Sequence, residues 1–392
     1  MGFEGMRITF LVRNIWGIGG TIKTTLNTAE ALLDLGHDVT IVSCVRHTDE
    51  PGFPFDPRLR IVNLWDVRDP AKGGDKLSLM NKILRKRPSY LDSDKVNNMV
   101  ESSVLFDRKV KRCLRDLDTD VVVGTHVSMN LYMAKYGHGD YVKVAQEHMY
   151  LDFYSDGTRE RILREYPSLD SIVTITEADA KIYREAIPEH ADKVVRIPNS
   201  IPGSPLPPSE LAEPVVMTAG RLTGMKGFDI LIKAFAQVAG DYPEWKLKIF
   251  GRGKDRKKLQ GLIAEYELES RVELPGAVFP LDEEWRKASI AAIPSRFEPF
   301  GLVIVEAMAS GLPVVASAVK HGPLEIIQSE ENGLLVAPKK PTQLANALSR
   351  LMGDEKLRRR FAEEGLVTAK RFEPEQVVGL HVELFEQLLK TK

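Results

Sequence analysis

Short apolar runs alternate with amphipathic segments along the whole chain. Residues 7–12 form the first apolar run, and a glycine-rich turn at 17–20 precedes apolar positions at helical spacing over 24–35. A β-branched run follows at 39–44. Because two strands connected through a helix usually lie parallel in one sheet, this order predicts a βαβ unit and a parallel sheet.

The same alternation continues through the first half of the chain. It predicts one helix and four further strands, at 104–117 and at 59–65, 121–124, 142–146 and 171–176. Thr176 precedes Asp179 by three positions, a spacing typical of a capping box, so another helix is predicted to begin there.

A stretch rich in proline and glycine interrupts the pattern at 198–208 and predicts a linker. Strands and helices then resume, with strands predicted at 214–219, 245–250, 271–274 and 290–293 and helices at 227–238 and 257–266. A final amphipathic helix is predicted at 375–389, and its pattern alone leaves its packing partner open. The chain is therefore predicted to contain two α/β halves of similar size.

Composition narrows the functional classes. The chain has 392 residues, and at about 150 residues per domain this length suits two to three domains. Its 54 basic and 55 acidic residues give a net charge of −1. This balance argues against nucleic acid as the main partner, because nucleic-acid-binding domains usually carry a strong positive charge.

The two cysteines predict a cytoplasmic, reducing environment. Cys44 and Cys113 stand apart from each other and from any pair of histidines, so neither a zinc site nor a disulfide framework is predicted. No apolar run approaches the roughly 18 residues of a membrane span, so no transmembrane helix is predicted.

Residues 76–95 form a strongly basic segment. Six basic residues stand there against Asp92 and Asp94, with leucine, methionine and isoleucine at helical spacing. One interpretation is a basic amphipathic helix that contacts a membrane surface or an anionic acceptor. The other is a solvated insertion without a partner.

Gly17, Gly19 and Gly20 lie between a predicted strand and a predicted helix. Glycines allow a ligand to approach the backbone closely, and a helix N-terminus favours an anion, so the loop is suited to a phosphate. A tight structural turn explains it equally well. The loop does not fit the dinucleotide fingerprint, because Ile22 occupies the position of the third glycine.

Two cations flank one strand-to-helix loop in the second half. Arg221 follows the predicted strand 214–219, and Lys226 precedes the helix 227–238. Since ligands of parallel sheets bind at the carboxyl ends of the strands, this pair is suited to hold a diphosphate. A surface pair without function is the alternative.

Two carboxylates lie eight positions apart around a later helix start. Pro299 disfavours a helical conformation at Glu298, which places Glu298 in the loop and Glu306 in the second helical turn. Carboxylates accept hydrogen bonds from sugar hydroxyls. The amides near Phe300, Gly301 and Leu302 are expected to be available to phosphate oxygens.

Together these features resemble a retaining nucleotide-sugar glycosyltransferase of family 4, with the GT-B fold of two Rossmann-like domains that face a central cleft. The resemblance rests on five stretches in the family's order, at 17–39, 220–227, 250–253, 298–306 and 332–336. It implies an acceptor domain at 1–198, a donor domain at 199–372 and a last helix at 373–392 that crosses back to the first domain.

The resemblance also implies a donor site. Its residues would be Gly20, Arg221, Lys226, Ala277, Val278, Phe300, Gly301, Leu302 and Glu306. Arg221 and Lys226 would bind the diphosphate, Glu306 the ribose hydroxyls, and Gly20 would bring its amide near the diphosphate. The stretch 274–278 would border the base.

His126, Glu298, Arg221 and Lys226 are the implied catalytic residues. Glu298 would bind hydroxyls of the transferred sugar, and His126 would lie near the reacting carbon. In the front-face mechanism discussed for this family, the leaving diphosphate accepts the proton of the acceptor hydroxyl. Glu298 as a covalent nucleophile stays an alternative. Judged without the family, a lone histidine after a strand is more often structural.

The function implied is the transfer of a hexose from a nucleoside diphosphate sugar, in the first instance a UDP sugar, with retention and without a metal or a separate cofactor. The acceptor would be a carbohydrate, a lipid-linked saccharide or a polymer. Alternatives are an epimerase or hydrolase of the same fold, or a binding protein without turnover. The expected location is cytoplasmic, or peripheral at the inner membrane face, and the oligomeric state is open.

One position departs from the family pattern. Many relatives have two glycines before a Pro-x-Glu-Ile turn, whereas this chain has Lys320-His321-Gly322 before Pro323. These two side chains are expected to alter contacts with the donor sugar, so the identity of that sugar is open.

Overall fold

A computed structural model describes residues 5–91 and 103–392 of the chain. The chain divides into two compact units. The first unit comprises Met1–Ser200 and Val377–Lys392, and the second comprises Ile201–Gln376. The division at Ser200 falls in the stretch that is rich in proline and glycine.

The first unit contains a parallel sheet of seven strands among the residues described. In chain order the strands are β1 (Arg7–Val12), β2 (Asp38–Ser43), β3 (Arg60–Asn63), β4 (Val121–Gly124), β5 (Val142–Glu147), β6 (Ser171–Thr174) and β7 (Val194–Arg196). Their spatial order is β3-β2-β1-β4-β5-β6-β7. The order reverses between β1 and β4, and such a switch point is where ligands of open parallel sheets bind.

Helices cover both faces of this sheet. They are α1 (Gly20–Asp34), α2 (Leu79–Arg85), α3 (Val104–Asp116), α4 (Val127–Tyr136), α5 (Asp156–Glu165) and α6 (Glu177–Ala186). Successive side chains of a strand point to opposite faces. Phe10 of β1 therefore packs in one apolar cluster with Leu32 of α1, while its neighbour Leu11 packs in another with Phe106 of α3.

The second unit contains a parallel sheet of six strands in the described part of the chain. They are β8 (Val215–Ala219), β9 (Lys246–Phe250), β10 (Val272–Gly276), β11 (Ile290–Ile293), β12 (Val314–Ser317) and β13 (Gly333–Val336). The spatial order β10-β9-β8-β11-β12-β13 has its switch point between β8 and β11. The two sheets therefore share one topology.

Seven helices follow the strands of this unit, as far as the structure describes it. They are α7 (Phe228–Val238), α8 (Arg256–Glu265), α9 (Asp282–Arg286), α10 (Leu302–Ala309), α11 (Gly322–Ile326), α12 (Pro341–Gly353) and α13 (Glu355–Lys370). The last helix, α14 (Pro374–Lys390), begins in the second unit and ends in the first. Its Val377, Val378 and Phe385 pack in the same cluster as Phe10. The predicted fold class, two parallel Rossmann-like sheets with a returning last helix, is confirmed.

Two local expectations need correction. The first helix begins at Gly20 and not at residue 24, because Gly19 acts as its N-cap. The predicted strand 59–65 is shorter, Arg60–Asn63, and its side chains are only partly buried. Within the basic segment 76–95, a short helix forms at α2, and residues 92–95 lie outside the described residues.

No helix in the described parts of the chain is both long and apolar enough to cross a membrane.

Candidate functional site

The switch point of the second unit brings an ion pair together from two distant loops. Lys226 lies in the loop after β8, and Glu298 lies in the loop after β11. The Nζ atom of Lys226 is 2.5 Å from Oε2 of Glu298. The hydroxyl of Ser295 donates to the same oxygen at 3.0 Å. Glu298 is only 7% exposed, and both donors contact the same oxygen of its carboxylate.

Arg296 fixes the turn that carries Lys226. Its guanidinium donates to the backbone oxygen of Gly224 at 2.7 Å and forms two hydrogen bonds of 2.7 Å with Asp229. Its backbone N–H donates to Met225 at 2.8 Å. Hydrogen bonds from Arg296 lower the pKa of Asp229, which keeps that carboxylate charged. The turn is thus attached both to β11's loop and to α7.

Two glycines lie where the loop after β8 is in close contact with neighbouring backbone segments. Gly227 has a φ of 68°, and a Cβ there would overlap the carbonyl of Pro294. Gly251 has a φ of 143°, and a Cβ there would overlap the carbonyl of Gly220. Both positions combine a backbone that favours glycine with lack of space, so larger residues would displace the loop.

The other two charged residues of the predicted donor site, Arg221 and Glu306, differ in exposure. Arg221 is exposed and forms no ion pair with any residue that the structure describes. Glu306 lies in the second turn of α10 and is partly buried. Its placement in a helix, and that of Glu298 in a loop, follow from Pro299 as predicted.

The start of α10 offers backbone donors. Gly301, with a φ of 106°, is its N-cap, and Leu302 is its first residue. Within the described residues no side chain caps this end, and its first turn contains no acidic residue. Phe300 is buried against Phe372 with ring centroids 5.5 Å apart. The amides of the first turn are therefore available to an anion.

Ala277 and Val278, the predicted neighbours of the base, follow β10. Both are exposed, Val278 by 44%. β10 is the edge strand, and β9 lies between it and β8. Their predicted role stays a prediction.

The switch point of the first unit has a different chemistry. His126 is the N-cap of α4, where its Nδ1 accepts from the backbone N–H of Ser128 at 3.3 Å and lies 2.8 Å from that residue's hydroxyl. Burial, followed by the charges of Arg13 and His148, lowers the pKa of His126 to about 4. The imidazole is therefore neutral near pH 7, and it caps the start of α4. Its predicted contact with the transferred sugar stays a prediction.

Gly20 is the first residue of α1, directly after the N-cap Gly19. The N-terminus of α1 therefore follows the end of β1, as predicted from the glycine-rich loop. No acidic residue occupies the first turn of α1. The approach of its amide to a diphosphate stays a prediction.

Two further histidines, His148 and His381, form a group with His126 in which His148 interacts with both of the others. Burial lowers the pKa of His148 and of His381 to about 4, and each also interacts with another histidine of the group. His381 is 1% exposed, and neither ring nitrogen has a hydrogen-bond partner among the described residues. In the sequence, His148 follows the predicted strand 142–146 and His381 lies on the apolar side of the last helix, but neither position predicts that the two meet.

Trp16, which follows β1, covers the edge of the core. Its Nε1 donates to Asn63 at 2.7 Å, and its ring packs edge-on against Phe55 with centroids 5.3 Å apart. The guanidinium of Arg46 lies 3.4 Å from the ring centroid. These contacts hold the ring of Trp16 against the protein.

His321 occupies a backbone conformation that favours glycine. Its φ is 79°, its side chain is 1% exposed, and it is the N-cap of α11. A Cβ at the next residue, Gly322, would overlap the carbonyl of Phe300. Backbone strain of about 1–3 kcal/mol at a non-glycine residue is typical of functional sites. The segment that departs from the family pattern, Lys320-His321-Gly322, therefore packs at Gly322 against Phe300, just before α10 begins.

In the described part of the chain, no three histidine, cysteine, aspartate or glutamate side chains are grouped so that they would hold a metal ion.

Two family models match consecutive parts of the chain. The model described as Glycosyltransferase Family 4 matches residues 18–202, and that described as Glycosyl transferases group 1 matches residues 207–390. The matched segments correspond to most of the first and most of the second unit.

Individual proteins are similar over nearly the whole chain. An exopolysaccharide phosphotransferase of Streptomyces coelicolor is 34% identical over 99% of this chain, which spans only 41% of that relative. An uncharacterized glycosyltransferase of Haemophilus influenzae is 26% identical over 95% of this chain and 98% of its own. A mutant of S. aureus TarM, in complex with fondaparinux, alpha-GlcNAc-glycerol and UDP, has a similar fold. Its TM-score is 0.76 at 15% identity, over 97% of this chain and 100% of that one.

Proposed function

The chain belongs to the GT-B glycosyltransferases of family 4 and group 1, and from that membership we propose that it moves a hexose from a UDP sugar to an acceptor hydroxyl with retention. The observation that carries the proposal is the Lys226–Glu298 pair at the β8/β11 switch point. It combines a cation for a phosphate with a carboxylate for sugar hydroxyls.

The charges of the second unit suit a diphosphate. Lys226 has its ammonium group at the switch point, and Arg221 projects from the same loop. A diphosphate would compete with Glu298 for the ammonium group, and the amides at Gly301 and Leu302 would add backbone donors. Glu298 and Glu306 would then accept hydrogen bonds from hydroxyls of the sugar and of the ribose.

The chemical step needs no protein nucleophile. The acceptor oxygen forms a bond to the anomeric carbon on the face from which the diphosphate leaves, and the carbon–oxygen bond to the β-phosphate breaks. The leaving phosphate oxygen takes the proton of the acceptor hydroxyl. Lys226 and Arg221 stabilise the negative charge that develops on this oxygen, which is the contribution a divalent metal makes elsewhere.

The donor and acceptor classes rest on the relatives. UDP is bound in the TarM complex, which supports a UDP sugar for this chain. The S. coelicolor relative is named for exopolysaccharide, which supports a polymeric or lipid-linked carbohydrate acceptor. The unpaired thiols of Cys44 and Cys113 support a cytoplasmic location.

A turnover panel tests the proposal. The protein is incubated with UDP, GDP and ADP hexoses, with acceptor saccharides, and with Mg²⁺ or EDTA. Released nucleotide is quantified, and the anomeric configuration of the product is read by NMR. We expect UDP release, a retained configuration and no loss in EDTA.

Each alternative gives a different product. Release of UMP would indicate transfer of a sugar phosphate, and interconversion of the donor without acceptor would indicate an epimerase. Free hexose as the only product would indicate a hydrolase. Binding of a nucleotide sugar without any turnover would indicate a binding protein.

A further inference from the structure

Three large apolar side chains are exposed side by side on α2. Leu79, Met80 and Ile83 have exposed fractions of 78%, 61% and 46%. Helix positions i, i+1 and i+4 lie within an arc of about 100°, so the three side chains form one apolar strip. Leu84, one position after Ile83, is 5% exposed and anchors α2 to the core of the first unit.

Basic side chains border this strip. Lys82 and Lys86 share the exposed side of the helix, and Lys76 precedes it. The sequence holds no acidic residue from 76 to 91. Arg85 is directed elsewhere, with its guanidinium 5.4 Å from the ring centroid of Trp65. The exposed side of α2 therefore combines apolar area with positive charge.

We propose that this α2 surface, formed by Lys76, Leu79, Met80, Lys82, Ile83 and Lys86, docks onto an anionic lipid bilayer. A bilayer suits both the apolar and the basic side chains of this surface, because the acyl boundary buries the apolar side chains while anionic headgroups attract the lysines. A soluble polyanion would pair with the lysines and leave the apolar strip in water. The charge and the apolar area together thus favour a lipid surface.

The α2 surface lies at the same edge of the first unit as the glycine-rich loop. Arg85 packs near Trp65, which follows β3, and the backbone N–H of Arg46 donates to Trp65 at 2.9 Å. The guanidinium of Arg46 in turn lies over Trp16, next to Gly17. If the proposed function holds, docking would present this edge to an acceptor carried in the membrane. Docking itself does not depend on that function.

Vesicle flotation tests the proposal without any nucleotide sugar. The full chain is floated with vesicles of phosphatidylcholine alone or with added phosphatidylglycerol. We expect binding to the anionic vesicles only, and a loss of binding with rising salt. The double variant Leu79→Ser/Lys82→Glu should reduce the partition coefficient at least about tenfold, since it removes apolar area and reverses a charge.

The matched control is Val367→Ser/Lys370→Glu on α13. It also pairs an exposed apolar residue, here 62% exposed, with a lysine three positions later, and it should leave vesicle binding unchanged. Melting temperatures and UDP-induced thermal shifts of both variants separate failure to fold, or failure of the donor site, from loss of docking.

Several results would overturn the proposal. They are the absence of vesicle binding by the wild type, equal losses in the two double variants, or unchanged binding in Leu79→Ser/Lys82→Glu. Lysine-dependent binding to a soluble anionic polymer such as dextran sulfate, without vesicle binding, would assign the surface to an anionic glycan.

Discussion

The first six strands of the two sheets follow the same order, yet the side chains at their switch points differ. At β1/β4, the loops carry glycines, Arg13 and a histidine whose pKa is lowered by burial and then by the charge of Arg13. At β8/β11, they carry a lysine and a glutamate held as an ion pair, with an exposed arginine beside them. Topology places a potential site in both units, but only side-chain chemistry decides what each can bind. On this difference we propose that the charged part of a donor binds in the second unit.

The largest effect is expected for Lys226→Ala. Removing the cation that would stabilise the leaving diphosphate should lower turnover about 100- to 1000-fold. Lys233→Ala, an exposed lysine on α7 of the same unit, is the control and should keep wild-type rates. Initial rates and melting temperatures are measured for both variants. Near-normal turnover in Lys226→Ala would contradict the role proposed for the charge of Lys226 in the second unit.

The glycine loops should differ in their tolerance of a methyl group. Gly251→Ala should destabilise the protein by about 2–4 kcal/mol, because its backbone favours glycine and its Cβ would overlap the carbonyl of Gly220. Gly19→Ala, at the N-cap of α1, has no atom within 4 Å of the added Cβ and should cost less than about 1 kcal/mol. Denaturant unfolding compares the two variants. Equal losses would refute the different constraint on the two loops.

Acid should affect the first unit through its histidines. His126, His148 and His381 have pKa values lowered to about 4 by burial, whereas an unfolded histidine titrates near 6.5. The unfolded chain therefore binds more protons between these values. The stability that depends on each neutral ring is complete above pH 6.5 and is lost as the pH falls toward 4.

One such histidine should cost about 2 kcal/mol at pH 5. His381→Leu removes a buried ring, so its loss of stability between pH 7 and pH 5 should be smaller than that of the wild type by about this amount. His190→Gln, outside the cluster, is the control. Unfolding curves at the two pH values test this, and parallel losses in wild type and His381→Leu would contradict it.

Features that depend on neighbouring residues in the sequence could be predicted, and features that depend on tertiary contacts could not. A buried parallel strand is a continuous apolar run, and the strand predicted at 290–293 is β11 as observed. Thr176 accepts a hydrogen bond from the backbone N–H of Asp179, as the capping spacing predicted. The carboxylate of Asp179 instead accepts from Leu151, a contact that a local rule cannot foresee. The short helices α9 and α11 lack a periodic pattern and were not predicted.

The same limit of sequence-based prediction applies to the candidate site. Arg221, Lys226, Glu298 and Glu306 could be selected from residue type and position. The pairing of Lys226 with Glu298 could not, because it joins positions 72 residues apart and depends on β8 lying beside β11. The interaction of His381 with His148 depends likewise on where the last helix packs.

Calorimetric binding of UDP tests the central claim most directly. It compares the wild type with Lys226→Ala in the second unit and His126→Asn in the first, asparagine being a good N-cap that preserves the start of α4. We expect that Lys226→Ala weakens binding at least about tenfold, a loss of about 1.4 kcal/mol, while His126→Asn stays close to wild type. Unchanged affinity in Lys226→Ala, or a larger loss in His126→Asn, would contradict this expectation.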